Sequence, residues 1–313
     1  MRALLVLLLL AACTAPTPPP PPPATTPSRI AGKAEFPPPE AMIGVSGLAL
    51  RPGGTFYAVS EREPTLFPIE IGPEGQPKAK APLEIRGKPD GLDLESMTFL
   101  DANTVAFGTE SDDEARTEDA ILYAAIADDG VTILDERTRA FFPYAPFGIR
   151  PEGNRGIEGL CSIDAKLIAA SEQVFEKDGR RLAPLGVYDP LTKSWASHAV
   201  VLTSEAGKIS ALACAGGPAH AEVWAIERHY ETVRVIRFDV PLGAQAMQTI
   251  EATLVEDLGP TLGPKPKNYE GLAAAPGGGL YLISDNSYGR LDGPTTLLLF
   301  VPQTTSAAPA VAP

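Results

Sequence analysis

The chain has 313 residues and a formal net charge of −13, with 39 acidic against 26 basic side chains. No basic stripe is present to neutralise a phosphate backbone, so nucleic acid is excluded as a partner and free polyanions are disfavoured. Less its two low-complexity ends, a chain of this size buries a substantial apolar interior as one domain, expected to be a monomer.

Residues 1–13, MRALLVLLLLAAC, place an Arg, an apolar run from Leu4 to Leu10 and two small residues ahead of Cys13. This is the layout of a bacterial secretory signal, and its apolar run is too short to span a bilayer. Leu10-Ala11-Ala12-Cys13 fits a lipobox, with Cys13 as the lipidation site. The expectation is a lipoprotein of the cell envelope, held by its lipid anchor at the periplasmic face or the outer membrane. Thr14 in place of Asp favours the outer membrane. Residues 14–28 are nearly all Pro, Thr and Ala, with unbroken proline from Pro18 to Pro23. Such a tract forms a semi-rigid polyproline II spacer. The domain is expected over 29–302, followed by a disordered Thr/Ala/Pro tail over 303–313.

Within the domain one pattern returns five times. A Ser or Glu opens a strand and an acidic residue closes the next strand 14 to 17 positions later. The pairs are Ser46 and Glu61, Glu95 and Glu110, Glu158 and Glu172, Ser210 and Glu227, and Glu270 and Asp285. Their starts lie 49, 63, 52 and 60 residues apart, spacings that suit propeller blades or repeat arrays. Two more β-branched stretches follow each pair, such as Ala120 to Ala127 and Gly130 to Asp135, then Val233 to Val240 and Ala252 to Leu258. Four strands per unit is the content of a blade. The fifth unit supplies only Thr295 to Val301 after its own pair, and Arg29 to Phe36 is available as its missing outer strand. The fold class is therefore all-β: a single β-propeller of five blades, with six left open, closed by an N-terminal strand.

In a blade the first strand lines the central channel and the second runs antiparallel to it. The start of one and the end of the other thus meet at one mouth. Eight of the ten repeated positions are carboxylates, which cannot crowd together without raised pKa values, basic partners or cations. Calcium is the expected cofactor, because it accepts flexible sets of oxygen ligands, whereas zinc would require His or Cys. The other use of an acid repeated in every blade is to accept backbone N–H bonds from the neighbouring blade.

The strings NRGIEGL (154–160), NYEGL (268–272) and ISDN (283–286) resemble the phytase-like family, also described by esterase-like activity of phytase. The resemblance spans roughly Ile43 to Val301 and implies a propeller that hydrolyses a phosphate or carboxylic ester. Ser46 and Ser210 depart from the Glu of the other copies. A substrate as negative as phytate could approach this mouth only where bound cations reverse the local field.

No G-x-S-x-G elbow, H-E-x-x-H, Walker loop or G-x-G-x-x-G occurs, which leaves metal-assisted hydrolysis. Glu95, Glu158, Glu270 and Asp285 are the expected metal ligands, and Glu158, Glu227 and His229 the candidates for proton transfer. Glu61, Glu110, Glu172, Asn268 and Asn286 are expected at the substrate. Arg62, Arg155 and Arg228 join them there, to bind an anion or to pair with the acids. The partner is a small-molecule ester or, for a non-catalytic propeller using the same mouth, a cell-envelope ligand or protein. Ser111 to Glu118 and Gly259 to Lys267 are candidate lids. Cys161 and Cys214 lie on the first strands of neighbouring blades and are expected to be two buried thiols, although export also permits a bridge.

Overall fold

Runs rich in Val, Ile, Leu and Ala, punctuated by Gly, Asp and Asn turns, form 24 strands among the described residues of a computed structural model of the chain. The structure describes residues 29–36, 42–73, 75–135, 138–243, 246–286 and 293–302. The signal segment, Cys13, the proline tract and the tail fall outside the described residues.

The strand β1 (Arg29–Glu35) precedes five successive units. The first holds β2 (Val45–Leu50), β3 (Phe56–Ser60), β4 (Thr65–Ile71), β5 (Pro77–Ala79) and β6 (Leu83–Arg86). The second holds β7 (Asp93–Phe99), β8 (Thr104–Glu110), β9 (Ala120–Ala127), β10 (Gly130–Ile133) and β11 (Ala140–Phe141). In the third are β12 (Gly159–Ile163), β13 (Lys166–Ala170), β14 (Phe175–Lys177), β15 (Arg180–Asp189) and β16 (Ser194–Val201). The fourth comprises β17 (Lys208–Gly216), β18 (His220–His229), β19 (Thr232–Pro241), β20 (Gln248–Glu251) and β21 (Thr253–Asp257). The fifth contributes β22 (Asn268–Ala274), β23 (Leu280–Asp285) and β24 (Thr296–Val301). The main path through each unit is an antiparallel meander.

The first strands β2, β7, β12, β17 and β22 pack side by side in a circuit, with β22 returning to β2. The core divides accordingly into five apolar clusters, each filling the seam between two consecutive units. Both faces of most strands are therefore covered, and β3 and β23 are buried at every position. The circuit closes as expected, because β1 runs antiparallel along β24 with Lys33 opposite Leu298. Two outer edges are joined by short parallel ladders, Ile85 with Val131 and Val200 with Ile250. An edge paired in this way is no longer open to another chain.

One sequence expectation is corrected here. Cys161 on β12 and Cys214 on β17 form a disulfide, with Cα atoms 5.8 Å apart. These strands are adjacent but belong to separate sheets, so their residue-level register is set by packing across a seam and not by a hydrogen-bonded ladder.

Candidate functional site

The first residue of the repeated pair has a common backbone role. The ladders β2/β3, β7/β8, β17/β18 and β22/β23 each skip one residue, and the skipped residues are Ser46, Glu95, Ser210 and Glu270. Each is the extra residue of a β-bulge, a device that bends the strand and re-aims a side chain. Glu158 stands immediately ahead of β12. Where a glycine follows the repeated residue, it permits the next unit to approach. A Cβ on Gly271 would lie 2.8 Å from the Cβ of Leu48, and one on Gly159 would lie 2.6 Å from Cγ of Leu212.

The Ser and Glu copies then part in function. Ser46 Oγ donates to the Leu94 carbonyl of the second unit, and Ser210 Oγ donates to the Tyr269 carbonyl of the fifth at 3.0 Å. These two residues staple neighbouring units. The Glu copies instead bring charge: Glu95, Glu110, Glu158, Glu172, Glu227, Glu270 and Asp285 are all buried.

Among the described residues, oxygens of Glu61, Asp93 and Glu95 lie within 4.8 Å of one another, so the expected ligand Glu95 stands beside Glu61 and Asp93. Arg62 Nε stands 2.8 Å from Glu61 and 3.5 Å from Asp93. Glu95 Oε1 is buried and has no hydrogen-bond partner among the described residues. Glu270 is engaged elsewhere, by Arg228 Nη2 at 2.7 Å and Asn268 Nδ2 at 2.6 Å, and the same amide donates to Asp285 at 3.4 Å.

Burial is the main cause of the unusual acidities. It pushes the Glu95 carboxyl well above its ordinary value, helped by repulsion from Glu158 and Glu110. Glu158 is raised likewise by burial, then by Glu110 and Glu270, against the opposing charges of Lys208 and Arg228. Burial raises Glu270 to about 8 despite Arg228, and Glu110 to about 7 despite the Gly156 N–H that it accepts at 3.1 Å. A cation bound beside these groups would favour their ionised forms and oppose that rise.

Several expected site residues are committed to structure. Glu227, a candidate for proton transfer, accepts the Thr203 N–H at 2.9 Å, the Thr203 hydroxyl at 2.6 Å, the Ser204 N–H at 2.8 Å and the Ser204 hydroxyl. Four donors occupy the four lone-pair positions of a carboxylate, which removes Glu227 from proton transfer and makes it a loop clamp. Glu227→Ala is expected to cost about 1–3 kcal/mol in urea unfolding, from donors left unpaired, with any metal response unchanged. Asn286 likewise holds the 42–44 loop, accepting from the Gly44 N–H at 3.2 Å and donating to the Met42 carbonyl at 3.1 Å. Glu172 pairs with Lys208, and Arg155 pairs with Glu152 at 2.8 Å. The 111–118 lid candidate is tied down by Arg116, which bonds Asp119 at 2.7 Å and the Glu152 carbonyl. The other lid candidate contains the single-turn helix α1 (Gly259–Leu262).

Asp93 and Lys208 were not anticipated. Each lies two residues before a bulge residue, Glu95 and Ser210, as Asn268 does before Glu270. Aligning the five copies two positions further upstream exposes all three, since alternate residues of a strand share a face.

Fold and site together define a β-propeller whose channel-lining strands bulge at one end to present a cluster of buried carboxylates. The chain belongs to the phytase-like family described by esterase-like activity of phytase, whose model matches residues 40–288. Among solved structures, the PQQ-bound aldose sugar dehydrogenase of Streptomyces coelicolor aligns with a TM-score of 0.50 at 17% identity, covering 91% of this chain and 100% of its own. Regucalcin, a calcium-binding protein of Agrobacterium tumefaciens, aligns with a TM-score of 0.47 at 15% identity, covering 88% and 96%. The dehydrogenase likeness is one of fold alone, and the weaker regucalcin likeness adds nothing to it. No curated protein matches the chain.

Proposed function

We propose that the protein is a calcium-dependent hydrolase of phosphate or carboxylic esters, exported and tethered to the cell envelope through Cys13. The observation that carries this reading is the buried, unpartnered Glu95 oxygen beside Glu61 and Asp93. An all-oxygen donor set of this kind suits a hard cation, and an orphaned buried carboxylate oxygen requires a partner. Bound there, calcium would supply Lewis acidity toward an ester oxygen and neutralise charge that develops on it.

The chain's own residues supply the proton transfers. Glu158, whose carboxyl burial and its acidic neighbours push well above its ordinary value, is the general acid. His229 is held below its ordinary value by burial and by Lys208, Arg228 and Arg181, so it is free to accept a proton. Hydrolysis then adds water across the ester. The water oxygen bonds to phosphorus or carbon as His229 takes a proton, and the leaving oxygen keeps the bond pair and receives the Glu158 proton. Export is supported by the lipobox sequence and by the Cys161–Cys214 disulfide, which suits an oxidising compartment.

The test is thermal unfolding of the full chain in detergent, in calcium or chelator, with p-nitrophenyl phosphate and carboxylic esters as substrates. Calcium is expected to raise Tm and switch on turnover, and Glu95→Gln to abolish both effects. The shift should grow with pH. Glu110 and Glu270 have folded pKa values of about 7 and about 8, above the unfolded value of 4.5. Their contribution to stability is present below that unfolded value and is lost as pH rises toward 8, so the chelated protein weakens over this window and calcium restores more. A calcium shift without turnover on any substrate would point to a binding scaffold, and no shift at all would remove the metal from the proposal.

A further inference from the structure

The hairpin between β18 and β19 turns on two residues, Tyr230 and Glu231, since His229 is the register partner of Thr232. Tyr230 has a φ of 44°, in the left-handed region that a turn of this length normally gives to Gly, Asn or Asp. It is the one aromatic among the described non-glycine residues with positive φ, the others being Asn154, Asp164, Ala165, Asp178 and Lys193. That conformation is costly for a bulky side chain, and packing does not recover the cost, because Tyr230 is 81% exposed. Backbone strain of this kind clusters at ligand clamps.

The exposed ring borders a cavity of about 360 Å³ at the mouth, together with His229, Val174 and Ala206. Its centroid lies 4.4 Å from that of the His229 imidazole with the planes 75° apart, an edge-to-face contact that sets the phenol beside the base assigned above. The cations around the cavity are already engaged: Arg228 with Glu270 at 2.7 Å, Lys208 with Glu172, and Arg155 with Glu152 at 2.8 Å. Arg181 reaches the Ser204 and Ala206 carbonyls. What the cavity offers a ligand is thus an aromatic ring with two aliphatic neighbours, a surface for a neutral, planar, apolar group.

We propose that Tyr230 is a specificity-determining residue whose ring stacks on an aromatic acyl group of the substrate, which deepens the hydrolase reading above and rests on it for turnover. His229 takes a proton from the attacking water as that water bonds to the acyl carbon. The substituent of that carbon therefore lies on the His229 side, while the departing oxygen, which keeps the bond pair and receives the Glu158 proton, lies with Glu158. The products are the aromatic acid and the alcohol. A phosphoryl centre carries no carbon substituent of this kind, so the substrate class narrows to carboxylic esters of aromatic acids. Ring-on-ring stacking in an offset geometry supplies the preference.

The test uses the full chain in detergent with calcium. Methyl benzoate and methyl cyclohexanecarboxylate serve as substrates, and benzamide and cyclohexanecarboxamide as neutral ligands that resist hydrolysis. Comparing each variant with the wild type on the same pair cancels the intrinsic reactivity of the two esters. Tyr230→Gly is expected to lower the benzoate-to-cyclohexanecarboxylate ratio of kcat/KM by about 2–10-fold, the worth of one aromatic pair. The same variant should hold or raise Tm, because glycine takes a positive φ without strain. Tyr230→Phe should keep the wild-type ratio. In proton NMR benzamide should move the Tyr230 and His229 ring resonances upfield and cyclohexanecarboxamide should not, and Tyr230→Gly should lose the His229 shift. An unchanged ratio in a folded Tyr230→Gly, or a ratio lost equally in Tyr230→Phe, overturns the proposal and leaves the hydrolase reading intact. Benzamide shifts that vanish in Tyr230→Gly, with neither ester turned over, keep the stacking site and remove the hydrolase.

Discussion

Glu158→Gln is expected to lower kcat by about 10²–10⁴-fold, the usual contribution of a general acid, while leaving Tm at or above that of the wild type. The two halves of this expectation come from one cause. Glu158 is 5% exposed, and burial, with repulsion from Glu110 and Glu270, pushes its carboxyl well above its ordinary value and favours the protonated form. Glutamine reproduces the shape and neutrality of that protonated carboxyl, so the fold loses nothing and the local repulsion available at higher pH disappears. What is lost is the proton that the leaving oxygen needs. The wild-type kcat profile should fall on its alkaline side as Glu158 ionises, and the residual activity of the variant should lack that limb. A carboxylate acting as a metal ligand or interblade acceptor would behave in the opposite way, losing stability before turnover. Full activity in a folded Glu158→Gln would remove Glu158 from the chemistry.

The largest stability effect is expected from the disulfide. Opening a loop of 53 residues frees the unfolded chain by about 4 kcal/mol in the chain-entropy model, so Cys161→Ser with Cys214→Ser should lose most of that in guanidinium unfolding. Reduction of the wild type should have the same effect. The bridge spans β12 and β17, which touch across a seam without a ladder between them. Side-chain packing is the other direct tie between those two strands, including Leu212 over Gly159. Identical unfolding midpoints with and without reductant would show that the two thiols are not joined.

The hairpins were legible because apolar alternation and an acidic terminator repeat with little variation. Ser46 to Glu61 frames β2 and β3, and Glu270 to Asp285 frames β22 and β23, to within two residues. The closing strand was legible by subtraction, since the last unit lacked an edge and only the N-terminal segment could supply it. The bulges were not. An extra residue shifts the phase of a two-residue period without leaving a compositional mark, so the reason for Glu95 and Glu270 to point inward lay hidden in the register. Choice of partner was equally opaque. Nothing in the string around Glu227 announces that the Thr203-Ser204 loop, more than twenty residues upstream, folds back onto it. Arg181 lies on β15, outside the repeated pairs, and only the curvature of the sheet brings it to Lys208 and His229. The acids were therefore recognisable as a class, while the separation of the Glu61, Asp93 and Glu95 group from a clamped acid such as Glu227 required three-dimensional neighbours.

The ladder between β1 and β24 has a topological consequence. Arg29 is the register partner of Val301, so the first and last strands of the ring lie with their free ends side by side. Each of the five apolar seams is shared by two neighbours, including the one between the fifth unit and the first. In the folded state the ring thus has no privileged starting unit. Which hairpin comes first along the chain records only where the circle was cut, and the carboxylate cluster, drawn from all sides of that circle, is indifferent to the position of the cut.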